Sequence, residues 1–271
     1  FRHKQFHTFP GPYIRRIFVE YVGLKGIFIL GAVLYSLSAM VALRGIRNAG
    51  EPLKMLHEKY LSSIKNGIDL LFRVRVLLGI MLITLIYNLW GFPFVSMIPV
   101  IGKDILTLSP FSVGLLASSE GLGALTGAFL ILTYANEIHY RKLFVLGTLL
   151  SILMALCFSH ASQFLIAVIF LFFSGIGAGC FSAMQSTLVI LCSPKDARAR
   201  MIGLLTVFIG LATLGFIQIG LFANWLGAQN AIFVCSVEGL IVLVLVVKFV
   251  PEIFYNQHHS SESPLSSGAT R

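Results

Sequence analysis

Residues 173–203 read FSGIGAGCFSAMQSTLVILCSPKDARARMIG. A helix-length apolar run carries Gly175, Gly177 and Gly179, then the isolated polar side chains Ser182, Gln185 and Thr187. A short loop with Pro194, Lys195, Asp196, Arg198 and Arg200 follows, and a second apolar run starts at once. An interior glycine costs a helix in water about 1 kcal/mol. In a lipid-embedded bundle the same small residues let backbones approach closely. The stretch therefore predicts two membrane spans joined by a basic turn.

Composition supports this across the whole chain. Hydrophobic residues make up 57% and charged residues 11%, against about 25% charge in soluble domains. Too few polar residues remain to cover a water-facing globule. The net charge of +9 does not point to nucleic acid, because the basic residues lie between apolar runs, where orientation signals belong. Cys157, Cys180, Cys192 and Cys235 lie in or beside apolar runs without CxxC or His-ligand spacing, so they read as small buried residues rather than disulfides or metal ligands. The chain starts at Phe1 with no signal-peptide pattern, from which a fragment or truncated product is expected.

Crossing ~30 Å of hydrocarbon takes roughly 20 apolar residues. Runs at 26–43, 76–100, 111–134, 143–159, 163–191 and 201–223 qualify, and 230–250 follows after a short turn. Residues 12–22 are apolar but too short, and they contain Arg15, Arg16 and Glu20, as the remnant of a span would. Placing 44–75, 135–142, 192–200 and the C-terminal approach on one side collects fourteen of the twenty basic residues there. The other side receives only Lys25 and Lys103, and the remaining four lie in the anomalous start. That bias makes the basic side cytoplasmic and the C-terminus with it. Trp90 and Trp225 are candidate interfacial anchors. Trp225 is the better placed, since Trp90 lies inside a span.

In 51–75, Leu53, Leu56, Tyr60, Ile64, Ile68 and Leu71 recur at three- and four-residue steps, with Pro52 suited to a first turn. The segment reads as an amphipathic helix on the inner membrane face or as a plain basic connector. The predicted organisation is a remnant of an N-terminal half (1–50), this cytoplasmic linker (51–75), a six-span block (76–250) and a disordered cytoplasmic tail (251–271). His258 and His259 form too small a cluster to argue for metal, and neither metal nor cofactor is expected.

Phosphate loops, HExxH and nucleophile elbows are absent, so no enzyme is expected. Polar residues within spans remain, and burying them in hydrocarbon is expensive. Glu120 is the sharpest, near the middle of 111–134 with no Lys or Arg at similar depth. An unpaired carboxylate there is protonated or faces a water-filled cavity, and either state suits a proton-coupled step. The alternative is a neutral acid hydrogen-bonded to Ser118, Ser119 or a neighbouring span. Glu238 reads as structural. Tyr87, Asn88, Gln185 and Gln218 are candidates for a substrate path, or else helix-bridging groups. Phe92 and Phe94, beside Pro93, are candidates for lining a pore. Gly121, Gly123 and Gly127 add a second small-residue face, with the last two at GxxxG spacing.

These residues resemble the C-terminal half of a major facilitator superfamily permease, in the branch of siderophore and macrolide exporters. The resemblance covers about residues 11 to 250. It rests most on Gly175, Gly177 and Gly179, on Gln185-Ser186-Thr187-Leu188, and on the loop from Pro194 through Asp196, Arg198 and Arg200 to Gly203. Leu226-Gly227-Ala228 fits as well. Gly127 through Arg141-Lys142 resembles the superfamily's inner-loop motif, with Asn136 and Glu137 where an Asp is usual. Gly11-Pro12 looks like the Gly-Pro of the fifth exporter helix, although Arg15 and Arg16 stand where the family has small residues.

The resemblance implies an all-α membrane protein. It would be a six-helix bundle forming the C-terminal half of a major facilitator fold, plus the end of the N-terminal half. It also implies efflux of a small organic substrate by alternating access in the complete permease. Gly123, Gly127, Gly175, Gly179, Arg141, Lys142, Asp196, Arg198 and Arg200 would then serve packing and the conformational loops. The expected partners are the lipid bilayer, the substrate, and a missing N-terminal half or second copy to close the path. A non-transporting remnant or regulatory subunit is the competing expectation.

Overall fold

The computed structural model describes residues 23–48, 60–134 and 139–254. The chain divides into two units, 1–58 and 59–271. In the first, α1 (Gly23–Asn48) is one apolar helix whose side chains, such as Phe28, Tyr35 and Leu43, are exposed. The resemblance at Gly11-Pro12, Arg15, Arg16, Asn136 and Glu137, the partial helix 12–22 and the His258–His259 pair lie outside the described residues.

The second unit opens with α2 (Tyr60–Arg73), whose Gly67 sits on the Arg200 side-chain carbons and whose Leu71 is buried. Ile68 and Phe72 stay exposed. Six membrane-length helices follow: α3 (Arg75–Ile105), α4 (Pro110–Tyr134), α5 (Tyr140–Phe158), α6 (Phe164–Cys192), α7 (Arg198–Leu226) and α8 (Ala228–Phe249). No strand occurs among the described residues. This is the all-α membrane fold expected from the apolar runs.

Local chemistry explains the ends and breaks. Ser109 caps α4, its hydroxyl accepting the Ser112 N–H at 3.3 Å, with Pro110 in the first turn. Gly227 joins α7 to α8 in a single residue, which its φ of +83° permits at low cost. Within α3, Pro93 has no N–H to offer the Leu89 carbonyl, and the helix widens into a π-turn over Tyr87–Gly91 before a 3-10 stretch over Pro93–Met97. At the other terminus, Pro251–Ile253 forms a turn that buries Ile253 against Gly79, and Arg75 meets Glu252 at 3.4 Å. The first residues of the segment expected to be a disordered tail are thus packed.

Helix α6 lies between α4 and α5. A Cβ on Gly123 would overlap the Phe172 carbonyl, and one on Gly127 the Ile176 carbonyl. Reciprocally, Gly175 faces the carbonyl of Glu120 and Gly179 that of Ala124. On its other side α6 meets α5 at Gly177 and Gly147, and Ser174 Oγ donates to the Ser151 carbonyl at 3.2 Å. Helix α3 is held in the same manner by the other pair. Gly215 of α7 faces the Leu89 carbonyl, and Gly239 of α8 faces Trp90. The first helix of each triplet therefore packs on the second and third of the other.

Two apolar cores result. One gathers Leu77, Ile80, Phe144, Phe181, Leu205 and Ile253 toward the end carrying Arg75, Arg141 and Arg200. The other gathers Phe94, Ile98, Leu116, Phe158, Leu171 and Ile232 toward the opposite end. Trp90 packs against both, so the spans' polar residues fall in the layer between.

Gly175→Leu is expected to destabilise the bundle by about 1–3 kcal/mol or more, since backbone cannot yield as a side chain does. Gly121→Leu, at a glycine with open space around it, is expected to change stability by no more than about 0.5 kcal/mol. Thermal unfolding in detergent micelles measures both.

Candidate functional site

Glu120 stands in the polar layer on α4, half-buried, with its own carbonyl against Gly175. The two serines expected as partners are engaged elsewhere. Ser118 donates to the Gly114 carbonyl at 2.8 Å and Ser119 to the Leu116 carbonyl at 2.6 Å. Among the described residues no side chain hydrogen-bonds the Glu120 carboxylate. Its electrostatic neighbour is the Tyr87 hydroxyl, which is within hydrogen-bonding reach of Ser151.

Tyr87 is not open to a substrate in this unit. It is 6% exposed, and its ring stacks on Phe181 with centroids 3.9 Å apart. Phe181 in turn stacks on Phe144 at 5.2 Å, so α3, α6 and α5 share one column of three aromatic rings. Asn88 is also buried, and its Nδ2 donates to the Thr84 carbonyl at 2.8 Å. It supports the backbone entering the π-turn rather than reaching across helices.

Gln185 is 8% exposed on α6, with Nε2 buried and unpartnered among the described residues. Gln218 is drawn to an acid, donating through Nε2 to Glu238 Oε2 at 2.6 Å. Of the two phenylalanines expected near a pore, Phe94 is in the core. Phe92 is exposed and meets Phe216 edge-on at 5.6 Å.

The loop candidates collect at the basic end. Asp196 and Lys142 are exposed, in the Pro194–Ala197 turn and at the start of α5. Arg141 directs Nη2 to Cys192 Sγ at 3.8 Å, and Arg198 turns a buried Nε inward. The glycine candidates Gly123, Gly127, Gly175 and Gly179 come together as one interface. Among the described residues no group of three His, Cys, Asp or Glu side chains converges on a metal position.

The Major Facilitator Superfamily model matches residues 80–267, from the first third of α3 through every later span. The chain belongs to the Major Facilitator Superfamily. It is thereby a multi-pass membrane protein of a transporter family. The interlocked triplets α3–α5 and α6–α8 agree with the 3+3 repeats nested in each half of such transporters. No curated protein and no solved structure matches the chain.

Sequence reasoning missed one constellation. Trp90, read as a weak interfacial anchor, donates Nε1 to Glu238 Oε2 at 2.9 Å from inside the bundle. The available signals were the polar handle of a mid-span indole and a second acid in a span. Nothing in the one-dimensional spacing links positions 90, 218 and 238.

Phe181→Ala is expected to cost about 3–5 kcal/mol by emptying the centre of the aromatic column. Tyr87→Phe keeps the stack and is expected to cost no more than about 1 kcal/mol. Denaturant unfolding in mixed micelles distinguishes the two.

Proposed function

We propose that the complete protein is an exporter of a small organic molecule, coupled to protons and working by alternating access in the cell membrane. The single observation that carries this reading is the Glu120 carboxylate. It lies halfway along a span, without a hydrogen-bonding partner among the described residues. A carboxylate so placed cannot stay charged against hydrocarbon, so it binds a proton or borders a water-filled path. Both conditions hold in turn if the path opens alternately to each side.

The glycine-to-carbonyl contact supports the mechanical part. With no side chains interlocked between Gly123, Gly127, Gly175 and Gly179, α4 and α6 move as one rigid pair and carry Glu120 with them. Substrate lies against this pair near the midplane, at the level of Glu120 and Gly175, and an N-terminal half or second copy supplies the facing wall. Efflux as the direction rests on the resemblance of the 173–203 stretch to exporters. The basic ends of the spans, with Arg75, Arg141, Lys142, Arg198 and Arg200, support a cytoplasmic C-terminus.

The test uses the full-length transporter in proteoliposomes, with an apolar fluorescent organic dye as the probe and a pH gradient as the drive. Glu120→Gln is expected to abolish the dependence of dye movement on the gradient, while Glu120→Asp retains part of it. Gradient-driven efflux that is unchanged in Glu120→Gln overturns the assignment.

A further inference from the structure

Besides Glu120, one other described carboxylate lies well inside a span, and the reading above does not use it. Glu238 of α8 is half-buried where α3, α7 and α8 meet. Its Oε2 accepts Trp90 Nε1–H at 2.9 Å and Gln218 Nε2–H at 2.6 Å. Both donors are neutral. Close backbone contacts hold the junction, because a Cβ on Gly239 would stand 2.7 Å from Trp90 Cβ and one on Gly215 would overlap the Leu89 carbonyl.

We propose that Glu238, with Gln218 and Trp90, forms a second proton-binding site in the membrane, distinct from Glu120. The carboxylate takes one proton from water. The Gln218 amide then makes a half-turn, so that its Oε1 accepts the new Glu238 O–H where its N–H donated before. An amide's oxygen and nitrogen exchange places in such a turn with no change of shape. At 2.6 Å the two side chains are also close enough for the O–H···O bond that follows the exchange, about 2.5–3.0 Å. Trp90 Nε1–H keeps an oxygen acceptor in both states. Glu238 Oε2 thus keeps both of its contacts in either form, which lets the acid change charge without the bundle opening.

The surroundings leave the charge of this site to the proton. On α8 itself the titratable neighbour is Cys235, which feels Glu238 electrostatically. On α3 it is Tyr87, whose ring is committed to Phe181, and on α5, packed against Gly239 through Ile152, it is Cys157. Helix α7 offers none beyond Arg198 and Arg200 at its start, and Lys248, Arg75, Arg141, Lys142, Lys103 and Asp104 lie at the ends of their helices. Among the described residues of these helices no Lys or Arg lies at the depth of Glu238. Because Trp90 belongs to the π-turn Tyr87–Gly91, proton binding acts directly on that widened turn of α3.

The chain has two tryptophans, so Trp225→Phe leaves Trp90 as the sole indole reporter in the full chain in lipid nanodiscs. A single-step change of Trp90 emission with pH is expected, matched by an infrared band for a protonated carboxyl group. The emission step, and the part of the band that titrates with it, are lost in Glu238→Gln and kept in Glu120→Gln. Gln218→Ala, which leaves the acid in place, is expected to shift the midpoint of the step.

Emission that stays flat with pH overturns the proposal. So does a step that survives Glu238→Gln, one that disappears in Glu120→Gln, one that follows sodium at fixed pH, or a midpoint unmoved in Gln218→Ala. The readout needs no substrate. An intact Trp90 step beside failed dye transport would count against Glu120 coupling alone.

Discussion

The close approach of backbone to backbone at α6 is the contact on which the bundle depends. Between helices in lipid there is no hydrophobic gain to be had, because the tails are as apolar as leucine. Helix association must come from dispersion at short range, and that requires surfaces without side chains in the way. Gly175 and Gly179 toward α4, and Gly177 toward α5, let one helix make such contacts on two faces. Gly215 and Gly239 do the same service for α3, so each triplet of spans is closed by helices of the other.

A consequence is the position of the polar layer. Large apolar side chains fill the bundle toward both ends, where helices diverge, and the glycine contacts bring helices together between the two cores. Small residues leave little volume there, but their neighbours include Ser151, Ser174, Glu120 and Glu238, which need partners or water. The bundle meets that need unequally. The serines bond each other's helices and Glu238 holds two donors, whereas Glu120 has Tyr87 as an electrostatic neighbour and no described hydrogen bond. An acid left so in hydrocarbon is the group most sensitive to whether water can reach it.

The π-turn of α3 gives the arrangement its asymmetry. Pro93 withdraws a donor from the Leu89 carbonyl, the helix widens over Tyr87–Gly91, and the extra residue rotates Trp90 toward α8 while Tyr87 turns to α6. The freed carbonyl is where Gly215 of α7 packs, so the break in α3 is also its seat for the next helix.

The six spans from α3 to α8, the basic end and the glycine-rich faces were legible in the sequence, because each depends on local composition: length of an apolar run, charge between runs, spacing along one helix. Glu120 was legible for the same reason, as an acid with no charge near it in its own span. Side-chain partnership was not. Tyr87 and Asn88 looked like path residues until the aromatic column and the Thr84 carbonyl claimed them, and Gln218 until it met Glu238. Nor does the apolar stripe of α2 show that Gly67 is the residue on which Arg200 and Leu204 of α7 sit. By itself the sequence determined a basic-ended bundle of membrane helices, because crossing hydrocarbon constrains every residue of a span independently of the others. Only the tertiary structure decided which polar side chains find a hydrogen-bonding partner and which do not. That depends on distances between helices far apart in the chain, and no local pattern encodes them.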